Sequence, residues 1–323
     1  RKSDWGTLMS SPIPGRGVIA CPLTPFDSTG RVHRATFRRQ LEFLVDNGAA
    51  GVCVFMHAAE SLLLTEAERA EMLDDAVATL AGRVPILVHV SSASTAQARD
   101  RAARAHEQGA DGVVCLPPYH VHLDEVALER HFAAVADASP LPLVVYSYPA
   151  AGAPIGPELL DRLLQKVPTV QGMKNAGGDV AEMLRLVHVA RERREEFSIF
   201  HGIEYLLPNL AMGGAGCFSI TGLVAPRLVR ELWRSAVAAD HATALQRQLE
   251  VSELLRALLP LYPSTIKAAA GLMGRDVGPP RPPHRELCAG ELGALRRALD
   301  SLPALRGELR GWELQRAEQV MAR

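Results

Sequence analysis

Apolar residues fall along this chain in short, nearly unbroken runs. Each run gives way to a longer stretch with apolar residues at helical spacing. The runs are GVIACPL (17–23), GVCVF (51–55), PILVHV (85–90), GVVCL (112–116), PLVVY (142–146), TVQGM (169–173), FSIFH (197–201) and GCFSI (216–220). Between them lie segments such as TEAERAEMLDDAVATLAG and TAQARDRAARAHEQGAD, whose pattern predicts amphipathic helices. Near-continuous apolar strands suit a parallel sheet covered on both faces. Eight of them alternating with helices predict an α/β fold, a closed (β/α)8 barrel rather than a doubly wound sheet. Helix starts are marked at Thr65, with Glu68 three residues on, and at Pro157, followed by Glu158.

After about residue 240 the strand signal stops. HATALQRQLEVSELLRALLP, STIKAAAGLMG and ELCAGELGALRRALDSL read as helices, with GPPRPPH (278–284) an extended linker between two of them. The expected organisation is an N-terminal extension (1–15), a catalytic barrel (16–240) and a helical domain with its tail (241–323). The charge run RERREEF (191–197) reads as a solvated helix end. The chain begins without Met, which points to a trimmed or engineered start, and its first residues lack an apolar core of signal-peptide length.

Composition narrows the function classes. A length of 323 residues allows one large barrel domain or two smaller ones, with a sizeable core. A formal charge of -1 leaves no basic excess for a nucleic-acid or anionic-membrane partner. There is no run of eighteen apolar residues to span a bilayer. The dispersed cysteines Cys21, Cys53, Cys115, Cys217 and Cys288 form no CxxC pair and read as reduced core residues of a cytoplasmic protein.

Only four of the 35 basic positions are lysine, and one of them stands in VQGMKNAGGD (170–179). On this reading Lys174 lies at the C-terminal end of the sixth strand, the end that carries barrel active sites. It has two readings. It is a snorkelling residue paired with a carboxylate such as Asp179, or it is a Schiff-base nucleophile. An amine desolvated among apolar groups loses affinity for its proton and can attack a ketone; arginine cannot. Tyr146 ends the fifth strand, where its phenol is placed to carry protons for such an imine. It reads otherwise as a rim aromatic bonded to backbone.

Further segments join these two. They are LTPFD after strand one, Glu60 after strand two, PPY after strand four, YSYP after strand five, GMKNAGGD at strand six and GGAGCFSI into strand eight, with IKAAAGLMG in the appendix. In order and spacing they resemble the dihydrodipicolinate synthase / N-acetylneuraminate lyase family, over roughly residues 16 to 305. The resemblance implies a TIM barrel with a three-helix C-terminal domain, a homotetramer, and pyruvate chemistry through a lysine imine without a cofactor. It implies Lys174 as the imine lysine, Tyr146 as the proton-relay tyrosine, and Phe218 as the pocket residue whose backbone faces the keto acid.

The chain departs from the family pattern in three places. The loop after strand two usually carries two hydroxyl residues that hold the pyruvate carboxylate and continue the relay. Here MHAAE (56–60) puts His57 and Ala58 there, although the Ala58 N–H remains a donor for a carboxylate. His57 reads as a replacement acid, base or anion donor, or as a packed rim residue. Glu60 is kept and reads as a carboxylate that organises backbone. Ala151 stands where the synthases place an arginine on the aldehyde's carboxylate, and His120 where they place a second tyrosine at a subunit contact. His120-x-His122, near Asp124 and Glu125, invites a metal reading, but two histidines do not make a site and an imine enzyme needs no metal. The glycines of GGAG (213–216) read as a turn at the barrel bottom, and Gly177 and Gly178 as room for substrate.

The expected function is therefore a class I, metal-independent lyase or aldolase acting on pyruvate or a related 2-keto acid and an aldehyde or similar second substrate. It is not expected to be a true dihydrodipicolinate synthase. Two alternatives stay open: a 2-keto-3-deoxy acid dehydratase or hydratase using the same imine, and a non-catalytic keto-acid binder.

Overall fold

The computed structural model describes residues 13, 15–121 and 123–312. Eight parallel strands form a closed barrel in sequence order. They are β1 (Gly17–Ala20), β2 (Gly51–Val54), β3 (Ile86–His89), β4 (Gly112–Cys115), β5 (Leu143–Ser147), β6 (Val170–Asn175), β7 (Ser198–His201) and β8 (Gly216–Ser219). A helix follows each: α1 (Arg34–Asp46), α2 (Glu66–Leu80), α3 (Thr95–Glu107), α4 (Glu125–Asp137), α5 (Pro157–Lys166), α6 (Val180–Arg193), α7 (Leu206–Ala211) and α8 (Pro226–Val237). Then come α9 (His241–Leu258), α10 (Ser264–Leu272) and α11 (Ala289–Ser301). The α/β barrel followed by helices is thus the fold that the run pattern predicts.

Every residue of β1 to β5 is buried, as strands packed on both faces must be. The helices begin where local chemistry dictates. Thr65 and Glu68 close a capping box on α2, Pro157 opens α5, and Asp124 and Asp179 accept backbone N–H groups at the starts of α4 and α6. At Gly216 a Cβ would lie 1.8 Å from the Gly17 carbonyl oxygen, so only glycine fits this seam. Gly213, in the left-handed region at φ 93°, makes the turn before it.

Two compact units make up the described residues. One includes Gly17 and Pro85–Phe218; the other includes Val18–Val84 and everything from Ser219 onward. In the second unit, Arg275 is fully buried and donates to the carbonyls of Leu223, Val224, Leu309 and Gly311. Arg281 of the 278–284 linker is tied to Glu68 and to the carbonyls of Gly30 and Leu63. In the first unit the charge run after α6 is mostly exposed, but Arg194 is half-buried and donates to the carbonyls of Leu164, Val167, Pro168 and Val170. A guanidinium among carbonyls is a bracket between elements, so this residue is more than a solvated helix end. Cys21, Cys53, Cys115 and Cys217 are buried thiols in no disulfide; Cys288 is an exposed thiol, so it is not the core residue that the sequence suggests. No helix of the described residues is long and apolar enough to cross a membrane.

Candidate active site

Strand pairing sets the geometry. Tyr146 on β5 stands opposite Lys174 on β6, and Lys174 stands opposite Phe200 on β7. Lys174 is 4% exposed, with its Nζ 4.1 Å from the centre of the Tyr146 ring and 4.8 Å from that of Phe218. Phe200 meets Phe218 edge to face at 5.8 Å. The structure therefore brings Lys174, Tyr146 and Phe218 together in one aromatic nest. Asp179, the carboxylate the sequence offered as a partner for Lys174, is exposed and accepts the Glu182 N–H at 2.9 Å, capping α6.

Other groups crowd the same strand ends. Tyr148 stacks on Tyr146 at 5.9 Å and 3°. His89, the last residue of β3, meets the Tyr146 ring edge-on at 6.1 Å and 65°. His201 ends β7 and meets the Tyr205 ring at 5.2 Å. Burial lowers its pKa from the ordinary 6.5; the Ile203 backbone opposes this and the Lys174 charge adds to it. Sequence reading missed both histidines because they sit inside the apolar runs PILVHV and FSIFH. A titratable residue closing an otherwise apolar barrel strand was the available signal.

The loops after β4, β5 and β6 are tied to one another. His120 is exposed, takes a left-handed φ of 56°, and donates its backbone N–H to the Ala151 carbonyl at 3.2 Å. Ala151 in turn donates to the Tyr148 carbonyl at 2.9 Å. The Ala176 N–H donates to Ser147 O at 2.9 Å, and the Gly202 N–H to Asn175 O at 2.8 Å. Asn175 Oδ1 accepts the Gly177 N–H at 2.9 Å. His122 lies outside the described residues. Among the described residues, no three His, Cys, Asp or Glu gather as metal ligands.

The loop after β2 belongs to the other unit. His57–Ala59 form a single 3₁₀ turn, with Ala58 buried and His57 half-buried. Glu60 follows in the left-handed region at φ 53°. Its Oε2 accepts the Arg281 N–H at 2.7 Å, and its Oε1 lies 2.6 Å from Lys267 Nζ. Lys267 also donates to Pro279 O at 2.9 Å and lies over the Phe26 ring at 4.4 Å. Burial lowers its pKa from 10.5, opposed by the Glu60 charge and hydrogen bond, and reinforced by the Arg281 charge. The Thr24 hydroxyl donates to Ala59 O at 2.6 Å. Glu60 thus holds linker backbone, and its lysine partner, distant in sequence, went unread.

A primary amine and a phenol side by side among aromatic rings are the parts an imine reaction requires: a nucleophile and a proton carrier. The chain as a whole is similar to known proteins. The model of the dihydrodipicolinate synthetase family matches residues 14–302. The 4-hydroxy-tetrahydrodipicolinate synthase of Methanopyrus kandleri is 31% identical over 293 residues, 90% of this chain and 97% of that one. That of Gluconacetobacter diazotrophicus is 35% identical over 263 residues, 80% of this chain and 87% of that one. Among solved structures, the synthase from Methylacidiphilum fumariolicum SolV superposes with a TM-score of 0.85 at 29% identity, covering 90% of this chain and 97% of that one. YagE, a family member from E. coli K12 solved in complex with pyruvate, gives 0.84 at 25% identity, covering 89% and 98%.

Proposed function

The chain belongs to the dihydrodipicolinate synthetase family and is an aldolase-type lyase of the class I, metal-independent kind, and on that premise we propose that it makes or breaks a carbon–carbon bond beside a pyruvate unit, or a close 2-keto acid, through an imine on Lys174. The observation that carries this reading is the buried Lys174 Nζ 4.1 Å from the Tyr146 ring centre. The neutral amine adds to the keto carbon. Tyr146 gives a proton to the carbinolamine hydroxyl, water leaves, and an iminium remains. The iminium draws electrons, so the neighbouring carbon gives up a proton to the Tyr146 phenolate and becomes an enamine. That carbon attacks the aldehyde, and water then releases the product; cleavage runs the same steps backwards. The Phe218 backbone faces the keto acid's carbon skeleton. The complex of YagE with pyruvate supports the choice of keto acid.

The second substrate is a less acidic partner than aspartate semialdehyde. This rests on Ala151, where the family pattern has a carboxylate-gripping arginine, and on Ala58, where it has a hydroxyl. The named relatives above are synthases, so this is a divergence proposed for the present chain. Residues 16–240 act as the catalytic barrel and 241–323 as its helical companion, in a cytoplasmic homotetramer.

The test is reductive trapping. Borohydride with pyruvate is expected to add the reduced adduct to the peptide containing Lys174, and sustained product release distinguishes an enzyme from a keto-acid binder. Profiling aldehydes against 2-keto-3-deoxy acids separates aldol chemistry from dehydration. Label on Lys166 or Lys267, with Lys174 unmodified, overturns the reading.

A further inference from the structure

We propose that His89 is a positioning residue for the Tyr146 phenol, itself held in place by Ser91. This deepens the reading above and rests on it. Five residues on neighbouring strands and their loops form a continuous series. The Leu116 N–H donates to Ser91 Oγ at 2.7 Å. Ser91 Oγ lies 2.7 Å from His89 Nε2. The His89 ring packs edge-on against Tyr146, and Tyr146 stands opposite Lys174. Ser91 is anchored a second time, since Arg101 donates to its carbonyl at 2.5 Å.

Ser91 Oγ accepts from Leu116 and shares a hydrogen bond with His89 Nε2, which fixes the plane of the imidazole. His89 and Ser91 are 1% and 2% exposed. A buried imidazole is costly unless bonded, and an apolar residue would fill the space without that cost. The histidine is better explained by what it does to its neighbour. The second torsion of a tyrosine is soft, so surrounding rings set the phenol's tilt. Here Tyr148 stacks along one face at 5.9 Å and His89 closes from the side at 6.1 Å. A proton carrier displaced by about 1 Å can lose on the order of 10²-fold in rate.

The experiment uses the full chain with His89→Phe, His89→Gln and Ser91→Ala, reading kcat, KM for pyruvate and borohydride trapping. His89→Phe is expected to lower kcat about tenfold or more, with KM within about twofold of the parent. His89→Gln keeps an acceptor toward Ser91 and is expected to recover most of kcat. Ser91→Ala, which removes the support and leaves the ring, is expected to fall between. Trapping at Lys174 persists in all three. A His89→Phe enzyme with near-parent kcat, or a His89→Gln enzyme no better than it, overturns the proposal and leaves the imine reading standing. Absence of trapping in the parent protein overturns both.

Discussion

Lys267 holds its ammonium 2.6 Å from Glu60, and both side chains are buried. This lysine and Lys174 are the two buried lysines of the described residues, and their surroundings divide their work. Lys267 has a carboxylate and a carbonyl to bond beside the Phe26 ring, and Lys174 lies over the rings of Tyr146 and Phe218. A buried pair broken on one side strands a charge. Lys267→Met is therefore expected to destabilise the protein by about 3–5 kcal/mol in urea unfolding. Adding Glu60→Gln to it is expected to cost less than the two single changes summed. A cost below about 1 kcal/mol for Lys267→Met would show that the pair is not what holds the β2 loop.

Tyr146→Phe keeps the ring and removes the hydroxyl. Turnover is expected to fall by about 10²–10⁴-fold, while pyruvate affinity and thermal midpoint stay near the parent values. Steady-state kinetics beside a thermal melt check this. Near-full activity would move the relay to another group, with His57 the first to test.

His131 on α4 supplies a pH signature for stability. It is buried, with Thr95 Oγ1 2.9 Å from Nδ1 and Cys115 Sγ 3.5 Å from Nε2. Burial lowers its pKa from 6.5 to about 4, opposed by a backbone bond at Leu116. Below pH 6.5 the unfolded chain takes up the proton and the folded chain does not. Stability is thus full above about pH 6.5 and declines as pH falls toward 4, by roughly 3 kcal/mol from this group. Denaturant titrations at pH 7.5 and 4.5 are expected to show a smaller acid loss in His131→Gln than in the parent. Equal losses would remove the assignment.

The second substrate can be tested from both sides. A missing charge-assisted hydrogen bond costs roughly 1.5–3 kcal/mol, or about 10- to 150-fold in kcat/KM. With pyruvate and aspartate semialdehyde, cyclic product is expected to form far more slowly than with a genuine synthase. Ala151→Arg is expected to raise that rate. An efficiency equal to a synthase's would mean that another donor grips the carboxylate.

The fold was readable because each of the eight apolar runs overlaps a strand. The ends were less so. The run 17–23 contains only Gly17–Ala20 as strand, and Pro22, just beyond, has no N–H to pair. The run 169–173 was read too short, since β6 continues through Lys174 and Asn175, opposite Tyr146 and Ser147. Hydropathy ends a strand at its first polar residue, and in a barrel that residue faces the chemistry. Lys174 and Tyr146 were legible as candidates because an isolated lysine and a terminal tyrosine stand out by type. His89 and His201 were hidden by apolar neighbours. The Glu60–Lys267 pair joins positions too far apart in sequence for any spacing rule.

The bond from His120 N–H to the Ala151 carbonyl has a consequence for engineering. Two of the three places where the sequence departs from the family pattern, His120 and Ala151, sit on separate loops, yet a backbone bond joins them. Transplanting a synthase's β5 loop alone would set its arginine on a scaffold still shaped by His120 in its left-handed turn. On the proposed reading the two loops form one exchangeable part, and a swap of substrate preference is expected to need both.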